Sequence, residues 1–368
     1  MRRNLLFAGI DVDDQMYHVS IISEDRSWVC KGVRCPRRPA ALLKMLKKFN
    51  ATQALVGYEA TYLGYSLQRE LSDIGINCKV IAPGSIARAP ADRVKTDRID
   101  SIRLAEGLRR DEFKFVSIPT RSQEADRQLI RGRDFLVRMR SDLKRHILSQ
   151  CRLVGIDYKA ATGKLSYWTK THLTWLDQQL AVIEPTMQFL FIELREQLES
   201  LNRRIHSLEV SISELAATPA YKDKVEALRC FRGIEVLTAM TILTEVFDIS
   251  RFKHPAKLVS YLGLDIAEYS SGGKQRQFGV TKMGNKRLRT ALIESCQMFG
   301  SSSTPSKRLQ AVRKGYDPQI IKIADRCQER LYCKGRRLLA RGKPRNKVKV
   351  MAAREMVGFI WEALNKVA

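Results

Sequence analysis

Histidine, paired cysteines and long hydrophobic runs are scarce in this chain. It has five His and eight Cys in 368 residues, and no two Cys stand in a CxxC arrangement. A zinc site is therefore not expected, and the scattered free thiols indicate a reducing cytoplasm. The apolar run near the N-terminus, LLFAGIDV, leads directly into further acids, so neither a signal peptide nor a membrane-spanning segment is expected.

Acidic residues are also in deficit, and this deficit points to the partner. Lys and Arg number 65 against 39 Asp and Glu, which gives a formal net charge of +26. Apolar residues make up 44% of the chain, so it can bury a core and is not a disordered polycation. The positive charge predicts a polyanionic partner, with nucleic acid as the default. A generally adhesive basic protein is the alternative.

The first third of the chain alternates strand and helix patterns. The stretches LLFAGIDV, YHVSIIS and SWVCKGVRC predict three consecutive strands. QALVGYEA and NCKVIAPG predict two more, and helical spacing appears in PAALLKMLKKF and TDRIDSIRLAEGLRR. This order predicts an α/β domain with a mixed sheet over residues 1–120.

The middle of the chain carries a heptad pattern. Apolar residues alternate in steps of four and three from Met187 to Leu215, and Leu129, Leu136 and Leu143 repeat every seven residues upstream. The pattern predicts long helices over residues 121–218. An antiparallel hairpin within one chain and a coiled coil between chains both fit it. Either way, this segment is expected to be a helical, coiled-coil spacer between two domains.

Residues 219–368 are predicted to form a mostly helical domain. LRCFRGIEVLTAMTILTEVF fits a helix, a tight turn at Gly233 and a second helix, and GNKRLRTALIESCQMFG fits a basic amphipathic helix. A basic stretch then precedes a last helix, AAREMVGFIWEAL. This stretch is expected to bind structured RNA as well as DNA, unless it binds DNA only or is a solvated face. Its basic residues are Arg336, Arg337, Arg341, Lys343, Arg345, Lys347 and Lys349.

Four acids in the first domain stand out by position: Asp11, Glu59, Asp97 and Asp100. The first two close apolar strands, and the other two lie three residues apart at the start of a helix. Converged carboxylates hold hard divalent cations, typically Mg²⁺, and two ions about 4 Å apart can stabilise phosphodiester cleavage. Taken singly, these residues also fit a turn and a helix cap. Asp13 and Asp14 compete with Asp11 but lie beyond the predicted strand.

The stretch AEYSSGGKQRQFGVTKMGNKRLRTAL combines serines, glycines and cations. Gly272 and Gly273 allow the backbone to approach a phosphate closely. The local sequence fits a phosphate-anchoring loop with exposed serines, and it also fits a loop whose serine attacks phosphorus. The cations expected to bind nucleic acid are Lys274, Arg276, Lys282, Lys286, Arg287 and Arg289.

These motifs together resemble a known family. GIDV, YEAT and KTDRID in the first part, with RGIEVLTAMTILTEVFDISRF, YLGL and SSGGKQRQFGVTKMGNKRLR in the second, are similar to the one-ten family of bacterial insertion-sequence transposases. Members of this family are DEDD transposases, described as bridge-RNA-guided recombinases. The resemblance covers nearly the whole chain. It implies an N-terminal RNase H-like (RuvC-like) domain whose DEDD acids are Asp11, Glu59, Asp97 and Asp100.

The resemblance also implies a serine nucleophile in the C-terminal domain. The family's Ser-Gly motif falls on Ser271, and the doubled serine leaves Ser270 as the reserve. Acids and serine are then expected to assemble into one composite site between protomers of a dimer or tetramer. The implied partners are donor and target DNA and an element-encoded bridge RNA, in the nucleoid of a bacterial cytoplasm.

Two positions depart from the family pattern. Tyr62 stands two residues after the Ala of the YEAT motif, at a position where the family often has Gly. Glu235 replaces the second Gly of a Gly-Ile-Gly turn. A glutamate repels phosphate, so this turn is expected to pack rather than to grip DNA.

The leading interpretation is a transposase that cuts and rejoins DNA through a phosphoserine link, guided by its bridge RNA. An RNase H-like nuclease or junction resolvase, which would use metal-activated water without a covalent step, is the alternative. A non-enzymatic RNA-binding scaffold is disfavoured because the acids are intact. Tyr269 lies beside the serines, but no tyrosine-recombinase constellation accompanies it.

Overall fold

The computed structural model describes residues 5–61, 64–86, 96–269, 276–300 and 302–367. The chain divides into two compact units, Met1–Pro119 (unit 1) and Thr120–Ala368 (unit 2). None of the helices in the described ranges is long and apolar enough to cross a membrane. The separation of a helical spacer from a C-terminal domain near residue 218 stays a prediction.

Unit 1 is built on one five-stranded sheet. Its strands are β1 (Leu6–Val12), β2 (Met16–Ser23), β3 (Trp28–Pro36), β4 (Leu55–Glu59) and β5 (Cys78–Ile81). They lie in the order β3-β2-β1-β4-β5, with antiparallel pairing among the first three and parallel pairing from β1 to β4 and from β4 to β5. The sequence-based expectation of a mixed sheet is confirmed, because two short polar turns make hairpins while helical crossovers make parallel pairs.

Helices cover both faces of this sheet. They are α1 (Pro39–Lys48), α2 (Ser66–Asp73) and α3 (Asp97–Arg109), with a short 3-10 helix at Pro83–Ser85. One core joins α1 and α2 to alternate strand residues such as Ile10 and Tyr58, and a second core joins α3 to Phe7 and Leu55. Because successive strand residues face opposite sides, the odd-numbered residues of β1 and β4 face α3.

Glycine allows α3 to lie very close to the sheet. A Cβ atom on Gly9 would come within 2.3 Å of the backbone nitrogen of Ala105 and 2.4 Å of the carbonyl oxygen of Ser101. Any side chain at this position would therefore push the helix away from β1. The close approach also lets the buried hydroxyl groups of Ser20 and Ser101 hydrogen-bond at 2.8 Å.

Unit 2 is almost entirely helical. Its helices are α4 (Arg121–Leu153), α5 (Tyr158–Thr162), α6 (Lys170–Leu180), α7 (Pro185–Ala216), α8 (Lys222–Arg229), α9 (Val236–Val246), α10 (Pro255–Tyr261), α11 (Lys286–Ser295), α12 (Lys307–Arg313), α13 (Pro318–Ala340) and α14 (Arg345–Val367). A short 3-10 helix spans Cys296–Met298, and one hairpin pairs β6 (Ile266–Glu268) with β7 (Gln277–Val280).

The two longest helices of the first half, α4 and α7, pack against each other as an antiparallel hairpin. Arg133 Nε donates to Glu209 Oε1 at 3.0 Å, and seven residues later Arg140 Nη1 donates to Asn202 Oδ1 at 3.2 Å. Leu198, Leu201, Ile205 and Ile212 of the heptad series are buried. Of the two arrangements that fit the heptads, the structure shows the one within a single chain.

The far end of this hairpin has a small aromatic core of its own. The ring of His172 lies edge-on to Tyr158 at 4.6 Å between centroids, and Trp175 and Tyr167 surround the same ring. His172 Nδ1 accepts a hydrogen bond from the backbone N–H of Trp168 at 3.2 Å. Burial lowers the pKa of His172, so this histidine is a neutral, satisfied core residue.

The remaining helices form one large core with the near end of the hairpin. The predicted tight turn at Gly233 is present, with φ of 85°, and a Cβ atom there would lie 2.1 Å from the carbonyl oxygen of Ser295. Glu235 N-caps α9 by position, and its exposed side chain pairs with Arg308 at 2.8 Å.

The basic C-terminal stretch differs in one respect from the sequence-based expectation. Residues from Cys333 to Ala340 continue α13, and Arg345, Lys347 and Lys349 already belong to α14. The sequence predicts only a basic stretch ahead of the last helix, because Lys and Arg obscure the apolar stripe of both helices. The buried residues of these two helices include Leu331 and Gly335 of α13 and Val348 of α14.

Candidate active site

Two strands and one helix place the four predicted acids on the same face of the unit 1 sheet. Asp11 follows Gly9 by two positions in β1, and Glu59 follows Gly57 by two positions in β4, so both face α3. Ile10 pairs with Tyr58 in parallel register, and each acid is the next residue of its strand. The strand ends therefore bring Asp11 and Glu59 to the same edge of the sheet.

The N-terminus of α3 brings the other two acids. Thr96 caps this helix by accepting a hydrogen bond from the backbone N–H of Ile99 at 3.3 Å, and Asp97 and Asp100 occupy its first turn. The helix dipole favours negative charge there. Asp100 is nearly buried and pairs with Arg103 at 3.2 Å, whereas half of the Asp97 side chain is exposed.

A third residue, which the sequence did not single out, completes a cluster with two of these acids. His18 lies in β2 directly opposite Asp11. Ligand atoms of Asp11, His18 and Asp97 all lie within 4.8 Å of one another, and His18 Nδ1 is 3.4 Å from Asp97 Oδ2. Glu59 and Asp100 stand outside this group of three but share its sheet face and helix turn. A signal for His18 was present: a histidine in an otherwise buried strand.

The donor set fits a divalent cation. The fold brings two carboxylates close together, and carboxylate oxygens suit hard divalent ions. His18 Nδ1 is shielded from solvent and has no hydrogen-bond partner within the described residues. A buried polar atom without a partner is costly, so a bound cation would supply what the protein alone does not.

The predicted nucleophile, Ser271, lies outside the described residues, as do Ser270, Gly272, Gly273 and Lys274. The structure does describe what flanks them. β6 and β7 pair as antiparallel strands, and the backbone N–H of Tyr269 donates to the carbonyl of Arg276 at 2.9 Å. The sequence pattern missed this hairpin because its strands are short and largely exposed.

The N-cap of α11, which follows this hairpin in the chain, binds a buried carboxylate. The Glu245 side chain, 1% exposed, accepts hydrogen bonds from Arg131 Nε at 2.8 Å and Nη2 at 2.9 Å, and from Asn285 Nδ2 at 2.7 Å. Burial raises the pKa of Glu245, but these hydrogen bonds and the Arg131 charge outweigh burial and leave the pKa below its ordinary value. Asn285 also caps α11.

Some predicted cations are already engaged within the chain. Arg287 pairs with Asp134, and its Nε lies 3.7 Å from Glu245. Arg289 Nη1 donates to the carbonyl of Leu262 at 2.7 Å. Arg276, Lys282 and Lys286 are exposed. The hairpin therefore offers its exposed cations to a ligand, while Arg287 and Arg289 also stabilise its surroundings.

The basic residues of α13, α14 and their connection lie at the surface. Arg336, Arg337, Arg341, Lys343, Arg345 and Lys347 are exposed, and Lys349 is partly buried. Arg336 Nη1 donates to the Tyr332 hydroxyl at 2.8 Å, which fixes that guanidinium on the helix surface. This arrangement is compatible with contacts to phosphates, because the charged ends remain open to solvent.

Two family models match separate parts of the chain. A DEDD transposase model of the IS110 type, described as "Transposase", matches residues 8–155. A model described as "Transposase IS116/IS110/IS902 family" matches residues 225–310. The first range contains the four predicted acids, and the second contains Ser271.

Relatives from two bacteria extend this similarity over most of the chain. "Putative transposase y4qE" of Sinorhizobium fredii is 36% identical over 358 residues, which cover 96% of this chain and 87% of the relative. "Transposase for insertion sequence element IS1533" of Leptospira borgpetersenii is 29% identical over 355 residues, which cover 93% of this chain and 99% of the relative.

Proposed function

Because the chain belongs to the IS116/IS110/IS902 family of transposases, we propose that it cuts and rejoins DNA through a covalent bond between DNA and Ser271, guided by an RNA from its own element. That the chain is a DNA transposase follows from the family. The DEDD domain implies an RNase H-like fold for unit 1 and dependence on a divalent metal ion. The covalent serine step, Mg²⁺ as the metal, and the RNA guide are the proposed parts.

The observation that carries the proposal is the convergence of Asp11 and Asp97 beside His18. Asp11, Glu59, Asp97 and Asp100 would hold two Mg²⁺ ions through their carboxylate oxygens. Such ions, when bound, neutralise charge on a phosphodiester and stabilise the attacking and leaving oxygens. The role of the acids is to hold these positive charges at one edge of the sheet, where a DNA strand can reach them.

The chemical step assigned to Ser271 is a transesterification. Its hydroxyl oxygen forms a bond to phosphorus, the bond from phosphorus to one sugar oxygen breaks, and the proton lost by serine ends on the released sugar hydroxyl. In rejoining, a sugar hydroxyl attacks the phosphoserine and serine regains its proton. The number of phosphodiester bonds is conserved, so no external energy source is needed.

Exposed cations and aromatic rings around the β6–β7 hairpin support DNA binding at this place. Arg276, Lys282 and Lys286 can contact phosphates, and the side chains of Tyr269 and Phe278 are 74% and 63% exposed. Aromatic faces beside cations bind single-stranded bases and backbone together. The exposed residues of α13 and α14 would then hold the guide RNA, and the active enzyme would be a dimer or tetramer.

The test of the serine step is a set of substitutions in the full-length protein. Ser271→Ala should abolish strand cleavage and the covalent protein–DNA adduct while DNA and RNA binding persist, because only the attacking oxygen is removed. Ser270→Ala and Tyr269→Phe serve as matched neighbours and should retain the adduct. Peptide mapping of the trapped adduct identifies the residue that carries the DNA.

Two outcomes would contradict this proposal in different ways. An adduct on Ser270 or Tyr269 would move the nucleophile to that residue. Cleavage that requires Asp11 but never yields an adduct would favour the water-using nuclease or junction resolvase. Equal affinity for the element's own RNA and for unrelated RNA of the same length would remove the dedicated guide from the proposal.

A further inference from the structure

We infer that His18 is a nitrogen ligand of the divalent-metal site and raises the affinity of this site for transition-metal ions such as Mn²⁺ more than its affinity for Mg²⁺. This inference deepens the proposed function and rests on the metal site formed by the acids. The residue enters from β2, which supplies none of the four DEDD positions.

The placement of His18 follows from strand register. Its Cα is paired with that of Asp11 across the antiparallel β1–β2 ladder, so both side chains leave the sheet on the same face. That face is covered by α3, whose first residue is Asp97. The imidazole is thus enclosed between one acid of the sheet and one acid of the helix.

The environment of His18 differs from that of the other buried histidine, His172. The Nδ1 atom of His172 accepts a backbone hydrogen bond, and aromatic rings surround it. His18 is 5% exposed, yet its Nδ1 has no hydrogen-bond partner among the residues that the structure describes. The Oδ2 atom of Asp97 lies 3.4 Å from this Nδ1, close enough for an ion pair but without hydrogen-bond geometry. The Nδ1 atom therefore faces the two acids without a hydrogen bond to either of them among the described residues.

The spacing of the three donors is close to that of ligands on a single ion. Donor atoms bound at about 2.1 Å lie between about 3 and about 4.2 Å apart in octahedral geometry. The three ligand atoms lie within 4.8 Å of one another, so small side-chain rotations are sufficient to bring them onto one ion. Imidazole nitrogen suits transition metals better than Mg²⁺, which prefers oxygen donors. A mixed set of one nitrogen and several carboxylates therefore favours ions such as Mn²⁺.

The experiment uses the full-length protein loaded with Mn²⁺ and pulsed electron paramagnetic resonance to detect nitrogen bound to the metal. We expect ¹⁴N coupling to the metal in the native protein and its loss in His18→Asn. The control is His146→Asn, which replaces an exposed histidine of α4 and should keep the coupling. His18→Asn should also weaken Mn²⁺ binding at least about tenfold, and more than it weakens Mg²⁺ binding. Incorporation of ¹⁵N-histidine should change the coupling pattern without any substitution, which keeps the test valid if His18→Asn does not fold.

The outcomes separate this inference from the proposal beneath it. Mn²⁺ binding that Asp11→Asn weakens, but that shows no histidine nitrogen coupling, overturns the role of His18 and leaves the acid site standing. Coupling that persists in a folded His18→Asn protein also overturns it. Mn²⁺ binding that Asp11→Asn does not change overturns the metal site itself, and the inference with it.

Discussion

Unit 1 and unit 2 each hold a polar cluster that includes a carboxylate group, and the surroundings of the carboxylates in the two clusters are opposite. Asp11 and Asp97 approach each other beside a histidine, and the Asp97 side chain is 51% exposed. The Glu245 side chain is 1% exposed and is bound by Arg131 and Asn285. Neighbouring like charges lower stability and are retained where a ligand or reaction needs them, whereas a buried, fully bonded charge orders the structure around it.

The largest expected effect separates activity from stability in the first cluster. Asp11→Asn should lower the rate of DNA cleavage by about a thousandfold or more, equivalent to about 4 kcal/mol, because a charge that holds the metal is lost. The free energy of unfolding should change far less, by about 1 kcal/mol or less, because asparagine keeps the size and shape of the side chain. Cleavage assays and denaturant unfolding of the same protein measure both. Full activity of Asp11→Asn would remove the metal assignment.

The opposite result is expected for Glu245. Glu245→Gln should lower the free energy of unfolding of unit 2 by about 3 kcal/mol, because it leaves Arg131 without its buried anion. The value is at the lower end of the usual range because the Arg131 side chain is 37% exposed. The matched control is Glu294→Gln, which replaces an exposed acid of α11. It should change the free energy of unfolding by less than about 0.5 kcal/mol. Equal unfolding midpoints for the two variants would show that Glu245 contributes no net stability.

Lowering the pH should also remove the charge of Glu245, with a smaller effect on the free energy of unfolding. The folded state lowers the pKa of Glu245, so its ionisation contributes stability above the ordinary glutamate pKa, about 4. That contribution is lost as the pH falls through the lowered pKa. Between about pH 5 and pH 3, the native protein should therefore lose more stability than Glu245→Gln does. Urea unfolding at stepped pH values checks this, and parallel pH profiles would contradict it.

The smallest effects are expected from exposed charges, which belong to neither cluster. Arg337→Ala should leave stability unchanged and lower the salt dependence of nucleic-acid binding by about one unit of slope.

Cys333, the exposed cysteine of α13, reports on the same surface. Bound RNA should slow its alkylation, whereas the buried Cys151, whose pKa burial raises to about 11, should not react in either state. Unchanged alkylation of Cys333 in the RNA complex would place the RNA elsewhere.

The sequence predicted those site residues whose role follows from the residues next to them in the chain. Glu59 could be selected because it ends an apolar strand, Asp11 because it lies one residue before the end of another, and Asp97 because it begins a capped helix. The roles of His18 and Glu245 could not be predicted, because they depend on partners distant in the chain, although a histidine in a buried strand was a signal for His18. His18 acquires its role through strand register and the approach of α3, and Glu245 through Arg131, 114 positions upstream, and Asn285, 40 positions downstream.

Helix patterns show the same limit. The heptads predicted long helices correctly, but they could not distinguish an intrachain partner from a second chain, since both bury the same stripe. The register became visible only through polar contacts such as Arg140 with Asn202. In the C-terminal stretch, a high density of Lys and Arg concealed an amphipathic pattern that continues through Gly335.

The register of the α4–α7 hairpin also makes its length adjustable. A step of seven residues along α4, from Arg133 to Arg140, is matched by a step of seven back along α7, from Glu209 to Asn202. Seven residues added to both helices within this interval would preserve every pairing and carry the aromatic far end about 10 Å further out. Seven added to one helix alone would offset the pairs. The length of the hairpin can thus change in steps of seven residues per helix. Its tip then lies further from the rest of unit 2, while the pairing between α4 and α7 stays the same.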